Sequence, residues 1–346
     1  MTTENKTFQF NITAPGSSTA LENAFAALSA DQWGTFTLGN TFNPDPPSSG
    51  DTIMSYTQRA HYDHVRKVIQ FTGGAHGTGG GLRTWLVTYD AATNQWLSPL
   101  AVSNSNTIYD HQYCNNAIDT ANGKVYIRHG FADTGRLQVF DQVSRTFGSP
   151  IDGPSFGTNY GICLEYHPGM TRLLWGHYWG VAQSNNGGAF TNITTANRIG
   201  DQAPVTAYNP KDNCVYMGGG NGAGAGQLWK INASGVMTQV AYPPVTIAVW
   251  DGGSGSSTSA LFGSGNPANR MFTVSKGGAI YEYDEVGNSW SGVIGNLPAG
   301  ARPGVNSDAD FIVTPIRNTD PNKSGVLVFK LASMTTTSTT AHIWKR

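Results

Sequence analysis

Short runs of alternating apolar and polar residues recur along the chain, each bounded by Gly, Asn, Asp or Pro. Val, Ile, Tyr, Phe and Thr dominate these runs, as expected of strands that bury at least one face. One phrase repeats. An apolar or aromatic residue is followed by Asp, Asn or His, then a short polar turn, then a second β-rich run. Tyr62-Asp63 precedes VRKVIQF, Ile118-Asp119 precedes GKVYIRH, and Tyr166-His167-Pro168 precedes TRLLWGH. Tyr208-Asn209-Pro210 precedes NCVYMGG, and Gly265-Asn266-Pro267 before RMFTVSK is a weaker copy. Asn and Asp side chains accept hydrogen bonds from their own backbone and Pro presets φ, so each phrase predicts a hairpin of two strands.

After a Gly-rich stretch, each unit adds a further strand. These are LRTWLVTYD, GRLQVFDQ, YWGVAQS, GQLWKINA, GAIYEYD and SGVLVFKL. Their midpoints recur roughly every 42 to 53 residues, the period of propeller blades. Six units fit between residues 51 and 346. The prediction is an all-β, six-bladed β-propeller of four-stranded antiparallel blades, an architecture that protects strand edges by closing on itself. A seventh blade built from residues 1–50 is the alternative.

The Gly-Gly after the second strand (Gly73-Gly74, then Gly218-Gly219-Gly220), with Tyr89-Asp90 to Trp96 or Tyr283-Asp284 to Trp290 downstream, resembles the kelch and galactose-oxidase-type propeller signature. The likeness covers about 300 residues in short, degenerate motifs, so it implies a fold and not a chemistry. Copper-oxidase chemistry would need a Tyr cross-linked to a Cys, and none of Cys114, Cys163 and Cys214 lies in a matching motif. The segment SNNGGAF, from Ser184 to Phe190, resembles one imperfect sialidase Asp-box, with Asn186 in the Asp position, and equally fits a turn between outer strands.

The first 50 residues depart from the repeat. Thr19-Ala20-Leu21-Glu22 is a capping-box pattern, and Leu21, Ala24, Phe25 and Leu28 follow helical spacing. They predict a short amphipathic helix over 19–30 on one end of the disc, with Leu21, Phe25 and Leu28 as a docking stripe for a neighbouring protein. The segment Gln32 to Asn40 reads as a strand that closes the ring with the C-terminus, where Ile343 and Trp344 serve as apolar anchors. The division is therefore a 1–50 extension and a 51–346 propeller.

Composition narrows the function classes. Charged residues make only 12% of the chain, about half the soluble average, and 21 basic against 22 acidic residues leave a net charge of -1. That balance lacks the electrostatic footprint of a nucleic-acid partner. No apolar run suggests membrane insertion. The three cysteines form no CxxC pair and read as buried apolar groups in equivalent strands. MTTENKTFQF does not have the form of a secretory leader, whereas the Gly-, Asn-, Thr- and aromatic-rich makeup resembles extracellular or virion proteins.

The loops between second and third strands share a face with the inter-blade connections, which makes that face the place to look for chemistry. His111, His129, Tyr160 and Arg128 are the candidate catalytic set. His or Tyr would move the proton α to a uronate carboxylate and Arg would neutralise the developing enolate, as in propeller-shaped polysaccharide lyases. His76, Tyr109, Tyr113, His177, Tyr178, Trp179 and Trp250 are candidate glycan-binding residues, because aromatic faces stack on sugar C–H faces. Trp85, Trp96, Trp175, Trp229 and Trp290 read instead as wedges between blades. No metal site is expected: His61-Tyr-Asp-His64 is the nearest approach and more simply extends the repeated phrase. No Gly-rich loop has P-loop spacing, and no cofactor is expected.

Two functions are open at this point. One is a non-catalytic virion-associated structural or adhesion module, a bacteriophage tail or adsorption component that binds host-surface glycan and other virion proteins, with oligomers formed within an assembly. The other is an extracellular carbohydrate-active enzyme, a polysaccharide lyase or a glycosidase, working from the loop face.

Overall fold

The computed structural model describes residues 18–39, 59–73, 84–102, 114–128, 135–154, 162–185, 187–196, 199–200, 204–220, 222, 225–247, 260–263, 271–275, 277–302, 311–330 and 340–346. Its strands form six antiparallel sheets arranged as a β-propeller. The first strands of the six blades are Ala60–Asp63, Asn116–Asp119, Ile162–His167, Val205–Asn209, Ala260–Gly263 and Phe311–Ile316. Each touches the next around a closed ring, the sixth returning to the first, so these strands wall a central channel.

The repeated phrase has a physical reading. Asp63 Oδ1 accepts the Val65 and Arg66 N–H groups at 2.9 and 3.0 Å, and Asp119 takes Ala121 and Asn122 in the same way. Asp90, Asp141 and Asp284 repeat the arrangement between third and fourth strands. Four residues after each of these acceptors the chain turns left-handed, at Lys67, Asn94, Gly123, Arg145 and Asn288, with φ between 46° and 63°. Where the motif reads Tyr-Asx followed by Asn at that turn, the Tyr hydroxyl donates to the Asn side chain. The three cases are Tyr89 to Asn94, Tyr208 to Asn213 and Tyr283 to Asn288, at 2.6, 3.0 and 2.7 Å. The hydroxyl thus fixes the residue that carries the least favourable backbone angle.

The glycines after the second strand of the fourth blade answer to close approach. A Cβ on Gly218 would meet the Gln227 carbonyl oxygen at 2.2 Å, and one on Gly219 the Ile247 carbonyl oxygen at 1.9 Å. SNNGGAF joins the third and fourth strands of the third blade, where Ser184 Oγ donates to the Gly188 carbonyl at 2.6 Å.

Ring closure is where the chain departs from a simple repeat. Gln32–Thr37 pairs with Thr340–Lys345 as the outermost strand of the sixth blade, and Trp33 stacks on Trp344 with centroids 5.5 Å apart. SGVLVFKL is the second strand of that blade and not its third, because Thr340–Lys345 occupies the third position. The cysteines are all free and buried, but they are not equivalent. Cys163 lies within a first strand, Cys214 opens a second strand, and Cys114 comes just before the first strand of the second blade.

The helix is Ala20–Ala26, with both arms of the Thr19–Glu22 capping box formed. Its apolar stripe faces inward. Leu21 and Phe25 are fully buried in a cluster with Ala60, Ile312, Ile316, Leu327 and Ile343, and Leu28 packs at its edge. Gly325 makes room, since a Cβ there would stand 2.3 Å from the Phe25 ring. The docking role expected for Leu21 and Phe25 is thereby corrected, since both are buried where the stripe seals the junction of the last and first blades; Leu28 stays half-buried at the edge of that seam. Each of the two buried side chains contributes about 1.5–3 kcal/mol.

Glu22 completes the seam. It is 1% exposed, yet its carboxylate receives the Thr19 N–H, the Tyr62 hydroxyl, the Lys67 ammonium and the Asn318 amide at 2.9, 3.0, 2.5 and 2.7 Å. Burial alone would raise its pKa. The Lys67 and Thr19 hydrogen bonds, the Lys67 charge and the Tyr62 hydrogen bond together outweigh burial and hold the carboxyl below its ordinary value.

Candidate functional site

Two places combine accessible surface with unusual chemistry. The first is on the face of the second-to-third-strand turns. In the third blade this turn is two residues long: Arg172–His177 is followed at once by Gly180–Ser184, and His177 pairs with Gly180. Tyr178 and Trp179 form the tip. The Trp179 N–H donates to His177 Nδ1 at 3.2 Å, the His177 and Trp179 rings lie 5.1 Å apart, and Tyr178 lies 6.2 Å from Trp179. Trp179 is 47% exposed, whereas His177 is fully buried. Burial and then the charge of Arg128 push the His177 pKa down to about 4, so a neutral imidazole supports the turn at pH 7. The indole is presented on a pinned tip and not on a flexible arm.

This geometry sorts the expected residues. His177, Tyr178 and Trp179 come together, His177 as a support beneath the two aromatics. Arg128 ends the second strand of the second blade and is 3% exposed, close enough for its charge to act on His177. The remaining candidates, His76, Tyr109, His111, Tyr113, His129, Tyr160 and Trp250, lie outside the described residues. The blade tryptophans behave as wedges: Trp175 and Trp229 are buried in two of the inter-blade clusters, and Trp85, Trp96 and Trp290 pack against them or their neighbours.

The second place is the central channel, which encloses a cavity of about 230 Å³. Its wall runs from Arg59 and Cys114, at the start of the inner strands, to His64, Thr120, Pro168 and Arg317 in the turns that follow them. Arg59 reaches across two blades to form an ion pair with Glu165 and donates to the Leu164 carbonyl at 2.9 Å. Arg317 crosses from the sixth blade to the fourth, donating to the Tyr208 carbonyl at 2.8 Å with its guanidinium 5.4 Å from the Tyr208 ring centre. His61 Nε2 lies 3.0 Å from the Asn116 carbonyl. Burial, then the charge of Arg59, pushes its pKa well below the ordinary value, and burial also lowers His64, so both are neutral at pH 7. Two guanidiniums and one carboxylate therefore set the charge of the cavity.

Sequence reasoning passed over Arg59, Glu165 and Arg317. One signal was present: ICLEYH is a fully buried strand, and a lone carboxylate in such a run requires a partner. Among the described residues, no group of three or more His, Cys, Asp and Glu side chains is placed to hold a metal ion, and no helix is long and apolar enough to cross a membrane.

No family model matches the chain. No curated protein matches it either. Similar solved structures exist at low identity. One is described as a nidogen/laminin complex, with 10% identity, a TM-score of 0.45, and coverage of 75% of this chain and 92% of that one. Another is described as a mitotic checkpoint complex, with 12% identity, a TM-score of 0.48 and 99% coverage of both chains. Likenesses of this size carry nothing about chemistry.

Proposed function

We propose that the chain is a non-catalytic adhesion module that holds carbohydrate on the face carrying the Tyr178–Trp179 turn, and that it serves as a tail or adsorption component of a bacteriophage particle. The exposed Trp179 indole carries this reading. A half-exposed Trp held by its own backbone hydrogen bond and by a buried ring loses little conformational freedom on binding. Its apolar face suits the C–H face of a sugar ring, and the Tyr178 hydroxyl can remain solvated beside it. The particle assignment rests on composition: few charges and abundant Gly and aromatic residues. A ring that turns its inner strand edges toward the channel also suits a module that must not pair with its neighbours through those strands. Kelch-type affinity remains a likeness of turns and glycines.

The test has two parts. Retention of the full chain on host-surface polysaccharide should fall at least tenfold in Trp179→Ala, with circular dichroism unchanged. Mass spectrometry of density-purified particles from the source should recover the chain in fixed proportion to the other particle proteins. Unchanged retention in Trp179→Ala contradicts the binding face, and recovery only from the soluble fraction contradicts the particle role.

A further inference from the structure

We infer that the central channel is a binding site for a small organic monocarboxylate, seated between Arg317 and Arg59. The argument starts from charge. Among the described residues that line the cavity, Arg59, Arg317 and Glu165 are the charged groups at pH 7, because His61 and His64 are neutral. Glu165 is committed to Arg59. Among the described residues Arg317 makes no ion pair; its partners are a carbonyl oxygen and a ring face, which leave its positive charge in place. Glu165 acts on it only from a distance. A cation in a walled cavity with one surplus positive charge favours an anion of one charge.

Shape and lining point to the same class. Arg317 is half-buried and keeps accessible surface where it lines the cavity. A guanidinium presents five N–H donors in a planar fork, of which the Tyr208 carbonyl engages one nitrogen. Ala60, Val205, Phe262 and Val313 supply apolar wall. An apolar wall around one oriented cation matches an organic acid with an apolar or hydroxylated body better than it matches a fully hydrated inorganic anion. The Glu165 carboxylate adds repulsion against a dianion such as phosphate, which sharpens that preference.

The full chain should be titrated calorimetrically with sodium acetate, propionate, lactate and glucuronate, and with phosphate and chloride at matched ionic strength. Expected is saturable binding of at least one carboxylate, tighter than either inorganic anion, and weakened at least tenfold in Arg317→Gln. In the unmodified chain, the Nε–Hε NMR resonances of Arg317 and Arg59 should move with that carboxylate and not with chloride, a readout that needs no variant to fold. Binding of equal strength in a folded Arg317→Gln overturns the proposal, as does phosphate binding in preference to every carboxylate. Absence of both heat and resonance movement across the carboxylates overturns it too.

Discussion

The seam and the channel both remove charge from bulk water, and they treat it differently. At the seam, the Glu22 carboxylate is met by four donors drawn from the helix, the first blade and the turn of the sixth. In the channel, Arg317 is met by a carbonyl and a ring, with no carboxylate of its own among the described residues. A buried charge whose partners are complete fixes geometry, whereas one whose partners are incomplete leaves interaction energy for something else. The contrast matters at the seam because the sixth blade is completed by Gln32–Thr37, a strand from the other end of the chain. The last and first blades must be held by the N-terminal segment, and Glu22, Leu21 and Phe25 do so together.

Aromatic groups divide in the same way. Phe25 is fully buried against Gly325 and the inner strands of the seam, while Trp179 stands half-exposed on a pinned two-residue turn. The first is an element of closure and the second an element of recognition.

The comparison breaks most severely if Phe25 is replaced by Asp. An unpaired carboxylate in the seam cluster should prevent closure, so the variant is expected in the insoluble fraction or without a cooperative melt. A soluble Phe25→Asp chain with normal melting would remove the seam from the account. Phe25→Ala should be milder, costing about 3–5 kcal/mol by denaturant titration.

Glu22→Gln comes next, at about 1–3 kcal/mol, because the Lys67 ammonium loses its counter-charge while a neutral acceptor remains. Its pH dependence sharpens the point. The folded Glu22 carboxyl lies below its ordinary value of 4.5, so its contribution is present above that pH and is lost as pH falls through the folded value. Buried His177, with its pKa lowered from 6.5 to about 4, also favours the folded state above 6.5 and loses that advantage as pH falls towards 4. Melting temperature should thus fall in two stages on acidification. Glu22→Gln should flatten the stage below pH 4.5 and leave the earlier one. An unaltered acid limb in this variant would mean that Glu22 is not held as described.

Arg317→Gln should cost less than about 1 kcal/mol in the absence of ligand, because losing the contacts with the Tyr208 carbonyl and ring is offset by removing a half-buried cation without a described counter-charge. A loss as large as that in Glu22→Gln would make Arg317 a structural group and erase the contrast. Trp179→Ala should move stability by no more than about 0.5 kcal/mol, as an exposed side chain outside any cluster does.

Much of the ring was legible because its turns are encoded locally. An acceptor side chain at Asp63, Asp119 or Asp284 and a left-handed residue four places later specify a hairpin without reference to anything distant. The capping box at Thr19 and Glu22 was legible for the same reason. The direction of the helix was not, since spacing shows that Leu21 and Phe25 share a face but not which surface that face meets. Glycine 325, which lets Phe25 in, is about 300 residues away. The order of strands in the last blade was obscured in the same way, because its outer strand comes from the other end of the chain.

The site was legible only in part. Tyr178 and Trp179 stand out as two aromatics in a tight turn, and the local sequence suffices to expose them. Arg59, Glu165 and Arg317 come from three blades and meet only when the ring closes. No local pattern reports that meeting, although the carboxylate within Ile162–His167 marks one of its members.

The most direct test of the adhesion account is the retention of the full chain and of Trp179→Ala on immobilised host-surface polysaccharide, with both proteins melting at the same temperature. The account predicts that the unmodified chain is retained without cleaving the polymer and that Trp179→Ala passes through. Equal retention of the two, or release of unsaturated oligosaccharides by the unmodified chain, would contradict it.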